Sequence, residues 1–136
     1  MLLFDTGYLI DLINGDEGAI RIANEVDAAG AFKAISVVTA HEYLRGIFYL
    51  HQKNPKMLSK KLEKAERELE RFEILPYTIE IAKLAAKIDA ELTRRGTPIS
   101  FADVVIAATS LHHGLTLVSR NVKHFGRIQN LKIRQY

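Results

Sequence analysis

Three acidic residues, Asp5, Glu42 and Asp103, stand where they could act together on one substrate. Asp5 directly follows Leu2–Phe4, a short apolar run that is typical of a buried strand. Glu42 follows the β-branched run Ala34–Val38 and lies in the first turn of the predicted helix after it. Asp103 lies in the first turn of a strongly apolar helix. Because carboxyl ends of parallel strands and amino ends of helices face one crevice, we expect the three carboxylates to share one edge of a sheet.

Each of these acids also has a purely structural interpretation. The pairs Thr39/Glu42 and Ser100/Asp103 have the spacing of a capping box, in which an acid bonds back to the start of its helix. Asp5 could cap the helix that follows it. A carboxylate in the first turn gains about 0.3–1 kcal/mol from the helix dipole. For any one acid taken alone, capping is the better explanation.

Asp103 favours metal binding over capping. It is the sole ionisable residue between Thr97 and Leu111, within a helix that is apolar nearly all round and is therefore predicted to be buried. A buried, unpaired carboxylate costs several kcal/mol, which exceeds what a cap returns. A cation shared with other carboxylates would offset that cost.

The hydrophobic pattern alternates between strands and helices, which predicts right-handed βαβ units. The fold class is therefore α/β, with a mostly parallel central sheet flanked by helices on both faces. No repeat or linker interrupts residues 1–136, so we expect a single domain. The predicted strands are Leu2–Phe4, Ala34–Val38, Glu73–Pro76, Leu115–Val118 and, at an edge, Lys132–Gln135. The predicted helices are Tyr8–Asn14, Glu17–Ala29, Thr39–His51, Met57–Phe72, one that is marked by Ile81 to Leu92 and stops at Arg95-Gly96, and Ser100–His113.

Composition excludes several classes of protein. There is no cysteine, which rules out disulfides and thiolate zinc sites. No apolar run is long enough to span a membrane, and no signal peptide is evident, so we expect a cytoplasmic protein. All 16 acidic residues lie at or before Asp103, whereas the segment after it carries five cations and no acid. This asymmetry suits a polyanionic ligand near bound cations, although scattered surface charge explains it as well.

Four stretches of the chain resemble, in order, the motifs of the PIN-domain family, particularly its VapC-type toxins. The first has an aspartate and a threonine after an apolar run, the second and third each contain an acid, and the fourth begins on a strand. They span nearly the whole chain, and the ordered set is far more specific than any single stretch. The four stretches are Leu2–Asp11, Ser36–Gly46, Ile99–Thr109 and Leu117–Phe125.

The resemblance implies an endoribonuclease that uses Mg²⁺ or Mn²⁺ held by carboxylates. By motif position, Asp5 and Asp103 would contact the metal directly, and Glu42 would bind metal or orient the attacking water. The resemblance also implies a homodimer and a small cognate antitoxin of the VapB type. The fourth motif commonly offers a further acid at the position of Asn121 or of His124, and neither residue is acidic here.

Five more residues are candidates for supporting roles. The hydroxyl of Thr6 would hold a ligand or a water, or else cap a helix. The amide oxygen of Asn121 would bind a metal-bound water, or else stabilise a turn. Arg120, Lys123 and Arg127 follow the fourth motif closely and are candidate phosphate contacts.

Two rival interpretations also account for acids at strand ends. A receiver or dehalogenase-like phosphotransfer domain also places aspartate and Mg²⁺ at strand ends, but the dehalogenase pattern needs a second aspartate where Gly7 stands. A receiver needs a further strand aspartate and a late lysine, for which there is no convincing candidate. A non-enzymatic RNA- or partner-binding domain that keeps the acids for folding stays open, because the fourth acid is missing.

The homodimer also has a physical argument. Large apolar side chains surround the predicted helix after Thr39 too widely for one core-facing stripe, so either a second copy covers the surplus or the helix is buried throughout. These side chains are Tyr43, Leu44, Ile47, Phe48, Tyr49 and Leu50.

We predict that the protein sediments as a dimer at micromolar concentration, because burying those apolar side chains against a second copy removes them from water. Analytical ultracentrifugation measures the mass directly. A monomer alone across the micromolar range would contradict the prediction.

Overall fold

Five parallel strands form one sheet in the order β3-β2-β1-β4-β5 in the computed structural model, which describes residues 1–136. Seven helices lie around the sheet, so the predicted α/β class is confirmed. The strands are β1 (Leu2–Phe4), β2 (Lys33–Ser36), β3 (Glu73–Leu75), β4 (Thr116–Val118) and β5 (Ile133–Arg134). The helices are α1 (Thr6–Ile13), α2 (Glu17–Ala29), α3 (Val37–His51), α4 (Pro55–Leu69), α5 (Ile79–Arg94), α6 (Phe101–His113) and α7 (Val122–Phe125).

The central strand β1 contributes to two hydrophobic cores because successive side chains point to opposite faces of a sheet. Leu3 packs with residues of α5 and α6 on one face. Leu2 and Phe4 pack with residues of α1 and α2 on the other. The short apolar run at the start of the chain therefore joins the two layers of helices.

Helix α6 is buried from Val104 to Ser110, as its apolar sequence predicts. Its two buried hydroxyls are satisfied locally, since Thr109 donates to the carbonyl of Val105 and Ser110 to that of Leu115. A buried helix of this kind fixes the position of its own amino end, which lies at the carboxyl edge of the sheet.

The order in which successive strands are added to the sheet reverses at β1. The chain runs outward through β2 to β3, then returns to place β4 on the other side of β1. Ligands of open α/β sheets bind outside the carboxyl ends of the strands at such a switch point. The residues that follow β1 and β4 therefore meet at the crevice where a ligand is expected.

The boundary between β2 and α3 differs from the prediction. The strand ends at Ser36, whose hydroxyl accepts a hydrogen bond from the amide of Val38 at 3.1 Å and caps α3. The helix therefore begins at Val37 rather than Thr39. The apolar Val37–Val38 pair extends the β-like pattern, but the serine cap ends the strand before it.

Helix α4 begins earlier and ends earlier than predicted, at Pro55 and Leu69. Asn54 caps it by accepting a hydrogen bond from the amide of Met57 at 3.1 Å, with proline in the first turn where no amide hydrogen is needed. Helix α7 was not predicted, because a single turn has no periodicity to detect.

The end of α3 carries exposed apolar side chains. Phe48, Tyr49 and Leu50 are 51%, 70% and 75% exposed, so a helix buried throughout is not the explanation of its wide apolar surface. The homodimer stays a prediction. None of the seven helices has the length and apolar character that crossing a bilayer requires.

We predict that Leu117→Ala lowers the free energy of unfolding by about 2–5 kcal/mol, because Leu117 is fully buried in β4 and its loss leaves a cavity. Urea denaturation measures the change. The control Ile79→Ala removes a side chain that is 65% exposed and should change the stability by less than about 0.5 kcal/mol. Similar losses in both variants would contradict this account of the core.

Candidate active site

Asp5 lies at the exit of β1 and is the most buried of the three candidate acids, with 6% of its surface exposed. One carboxylate oxygen accepts a hydrogen bond from the amide of Tyr8 at 2.8 Å and caps α1. The other accepts one from the hydroxyl of Ser119 at 2.5 Å. The capping interpretation is thus right for one oxygen, and the second oxygen ties β1 to the exit of β4.

Glu42 is joined to the first strand exit through Thr6. The Thr6 hydroxyl donates to the Glu42 carboxylate at 2.6 Å and is also hydrogen-bonded to the Thr39 hydroxyl at 3.1 Å. Because α3 begins at Val37, Glu42 is in its second turn, and the predicted capping box with Thr39 does not form. Glu42 therefore faces the site for a reason other than capping.

Asp103 lies in the first turn of α6, where the Ser100 hydroxyl accepts a hydrogen bond from its amide at 3.2 Å. Its side chain is 25% exposed, so the prediction that Asp103 is buried with its helix is wrong. Burial in α6 begins at the next residue, Val104. The nearest basic group is Nδ1 of His124, 4.0 Å from the carboxylate.

The three carboxylates are near enough to perturb one another. Burial raises the pKa of Asp5, and the negative charges of Asp103 and Asp11 raise it further, against hydrogen bonds from Ser119 and Tyr8 that lower it.

Partial burial likewise raises the pKa of Asp103. The negative charge of Glu42 adds to that increase, whereas a hydrogen bond with Ser100 and the proximity of His124 lower the pKa. The fold has thus gathered like charges in a partly desolvated crevice.

The fourth corner of the site is formed by Asn121 and His124 in place of a further acid. The Asn121 amide nitrogen lies 2.9 Å from Nδ1 of His124, which in turn faces Asp103. The backbone amide of Asn121 donates to the Ser119 hydroxyl at 2.9 Å. Asn121 therefore reaches Asp103 through His124 and closes the turn after β4, and its contact with a metal-bound water stays a prediction.

The candidate phosphate contacts are dispersed. Lys123 is exposed on α7, next to His124, and forms no ion pair. Arg127 lines a groove of about 210 Å³ against α5, a groove that none of the three acids lines. Lys123 therefore directly precedes the residue that faces Asp103, whereas Arg127 lies in a separate groove.

Two cations of the carboxyl-terminal segment are already paired with acids. Arg120 bridges Asp11 and Asp16, and Arg134 pairs with Glu25. The positive charge of this segment is thus partly used to attach it to α1 and α2.

Ser119 is a site residue that the sequence analysis missed. It lies inside the fourth motif and follows β4 just as Asp5 follows β1, and Phe4 pairs with Val118 in register. Two residues that leave neighbouring parallel strands at the same level must meet. The signal was present, but using it required knowing that β1 and β4 are neighbours.

The oxygen donors at the site suit a hard divalent cation such as Mg²⁺ or Mn²⁺. The charge of Asp103 raises the pKa of Asp5, and that of Glu42 raises the pKa of Asp103; a bound cation would oppose both effects. No three His, Asp or Glu side chains converge on a single coordination point. The donor set fits a metal in chemical type and in charge, without a preformed coordination geometry.

Comparison with known proteins gives a consistent result. The model of the PIN domain matches residues 2–131. The chain is 32% identical over 132 residues to ribonuclease VapC1 of Rickettsia felis, which covers 97% of this chain and 93% of that protein.

Solved structures agree with the sequence matches. VapBC-1 from nontypeable Haemophilus influenzae superposes with a TM-score of 0.84 at 26% identity, over 98% of this chain and 96% of that one. A toxin-antitoxin complex from Klebsiella pneumoniae gives 0.72 at 28% identity, over 96% and 95% of the two chains.

From the raised pKa of Asp103 we predict how the free energy of unfolding of the metal-free protein depends on pH. A folded-state pKa above the usual 3.8 means that the folded chain holds this proton more tightly than the unfolded chain does. Ionised Asp103 therefore lowers stability as the pH rises above 3.8. In EDTA, Asp103→Asn should be more stable than the wild type at pH 7, and the difference should vanish as the pH falls below 3.8.

Thermal unfolding between pH 3 and pH 8 measures this difference. Asp89→Asn, at an exposed carboxylate of α5, is the matched control and should give no such pH-dependent gain. A wild type that is as stable as Asp103→Asn at pH 7 would show that the carboxylates are not in electrostatic conflict.

Proposed function

Because the chain belongs to the PIN-domain family, we propose that it is a VapC-type endoribonuclease, the toxin of a toxin-antitoxin pair. It hydrolyses RNA phosphodiester bonds at the crevice between the exits of β1 and β4. The observation that carries the proposal is the group of three carboxylates, Asp5, Glu42 and Asp103, at this switch point, where Asp103 raises the pKa of Asp5 and Glu42 raises that of Asp103.

Mg²⁺ or Mn²⁺ is the proposed cofactor. Asp5 and Asp103 would hold it, with Glu42 as a third ligand or as the residue that orients the attacking water. When bound, such an ion makes a water more nucleophilic and offsets negative charge on the phosphate during in-line displacement.

The residues around the carboxylates keep them in place for this reaction. Ser119 and the amide of Tyr8 fix the two oxygens of Asp5. Thr6 fixes one oxygen of Glu42 and leaves the other without a protein donor. The carboxylates are thus oriented before the substrate arrives, which reduces the reorganisation that catalysis would otherwise require.

RNA reaches this site from the side of α7. Lys123 is an exposed, unpaired cation two residues after Asn121, and we assign it a contact with a phosphate of the substrate. The neighbouring His124 has one ring nitrogen engaged by Asn121, and its other ring nitrogen has no protein partner. Lys123 and His124 would thus supply a cation and a hydrogen-bonding ring nitrogen to a phosphate at the rim of the acidic crevice.

A small VapB-like antitoxin is the proposed protein partner. The basis is the likeness to VapBC-1 of Haemophilus influenzae and to the Klebsiella pneumoniae toxin-antitoxin complex. A partner of this kind would bind the toxin tightly and keep it inactive.

The proposed function is tested with purified protein free of antitoxin and a mixed RNA substrate. The wild type should cleave RNA with Mg²⁺ or Mn²⁺ and stop in EDTA. Asp5→Asn and Asp103→Asn should each cleave at least about 100-fold more slowly, because even partners one shell away from a metal cost 10–100-fold.

The matched control is Asp89→Asn, which removes an exposed carboxylate outside the site and should cleave like the wild type. Full cleavage in EDTA would refute the metal mechanism. If Asp103→Asn changed neither cleavage nor Mg²⁺ binding, Asp103 would hold no catalytic metal. If the wild type itself neither cleaved RNA nor bound Mg²⁺, the non-enzymatic alternative would be favoured.

A further inference from the structure

Arg120 is held in a cluster with Asp11, Asp16 and Tyr136, which we call the clasp. Its guanidinium lies 2.7 Å from the Asp16 carboxylate and 3.4 Å from that of Asp11. Its Nε donates to the backbone carbonyl of Tyr136 at 3.2 Å. Three nitrogens of one side chain therefore bind three separate parts of the chain: α1, the start of α2 and the end of the described sequence.

Tyr136 attaches the clasp to the hydrophobic core. Its hydroxyl donates to Asp11 at 2.7 Å, and its ring lies under the Arg120 guanidinium with 4.5 Å between guanidinium carbon and ring centroid. The same ring meets the buried ring of Tyr8 edge to face, at 5.1 Å and 89°. The Tyr136 ring thus contacts both Arg120 and Tyr8.

The charge of the clasp argues against a phosphate contact by Arg120. Two carboxylates face one guanidinium, so the cluster has a formal charge of −1. A phosphate at Arg120 would compete with Asp16, which is also the cap of α2. Substitution at Gly18 would disturb the pair, since a Cβ there would lie 3.2 Å from both the Arg120 and Asp16 head groups.

The clasp connects to the active site through one peptide bond. Arg120 directly follows Ser119, whose hydroxyl donates to Asp5 and accepts from the amide of Asn121. Holding Arg120 against α1 and α2 therefore holds the turn that carries both of these hydrogen bonds.

We propose that Arg120 is a positioning residue and not a phosphate contact: clamped by Asp11, Asp16 and Tyr136, it fixes Ser119 so that Asp5 stays oriented. This replaces our sequence-based interpretation of Arg120, and its kinetic part rests on the proposed function. Lys123 is then the first residue after β4 that is free to bind phosphate.

The test compares Arg120→Gln and Tyr136→Phe with the wild type in steady-state RNA cleavage at several salt concentrations. The clasp predicts a roughly 10- to 100-fold lower kcat for Arg120→Gln with KM unchanged. Tyr136→Phe should also lower kcat, but by a smaller factor than Arg120→Gln. Its hydroxyl binds Asp11, so a loss of kcat in this variant would not come from a lost phosphate contact. A phosphate contact predicts instead a higher KM and a salt slope reduced by about one, with no effect of Tyr136→Phe.

Two further variants calibrate these readouts. Lys123→Gln should raise KM and reduce the salt slope, which shows what loss of a phosphate contact looks like. Arg94→Gln removes an exposed, unpaired guanidinium on α5 and should leave kcat and KM unchanged.

Hydrogen exchange of the Asn121 amide tests the clasp without RNA cleavage. Because this amide donates to Ser119, it should exchange faster in Arg120→Gln and in Tyr136→Phe than in the wild type or Arg94→Gln. Unchanged exchange overturns the proposal, as does a raised KM with a reduced salt slope.

If the wild type cleaves no RNA, the proposed function fails by itself, and the exchange rates still decide on the clasp. If Arg120→Gln does not fold, Tyr136→Phe still tests the proposal, because it removes one hydroxyl and keeps the packing of the ring.

Discussion

The carboxylate of Asp5 is buried at the junction of β1, β4 and α1, and both of its oxygens accept hydrogen bonds. A buried charge without partners costs several kcal/mol, so the surrounding chain must supply donors or lose stability. One donor, the amide of Tyr8, exists because α1 begins immediately after Asp5. The other, the hydroxyl of Ser119, exists because β4 pairs with β1. The arrangement of the first and fourth strands is therefore a condition for keeping this group ionised inside the protein.

The same junction concentrates negative charge. Asp103 and Glu42 reach it from α6 and α3, and Asp103 raises the pKa of Asp5 while Glu42 raises that of Asp103. Local hydrogen bonds reduce this conflict without removing it. Folding alone gains nothing from placing three acids together, and capping accounts for the position of Asp5 and, in part, of Asp103. The position of Glu42, bound to Thr6 and outside any cap, is the clearest sign that the crevice is built to hold acids.

The basic residues after Asp103 divide between two roles. Arg120 and Arg134 pair with acids of α1, α2 and the turn between them, so they attach the last strands to the first layer of helices. Lys123 forms no ion pair and stays exposed on α7, directly before His124. A count of charges along the sequence treats these residues alike. Only the position of the opposite charges in space separates a cation that holds the fold from one that can hold a phosphate.

The sequence by itself determined the layered α/β architecture, since strand and helix periodicity is a local property that each segment carries. It also predicted that three acids lie at one edge of the sheet, because residues at strand exits and helix starts share that edge in a parallel sheet. The tertiary structure decided which acid is buried, Asp5 and not Asp103, since burial of a helix's first turn depends on what covers it. It also decided the partners of Asp5 and of Arg120. Ser119 lies 114 residues from Asp5 along the chain, and their contact follows from strand order, which no local pattern records.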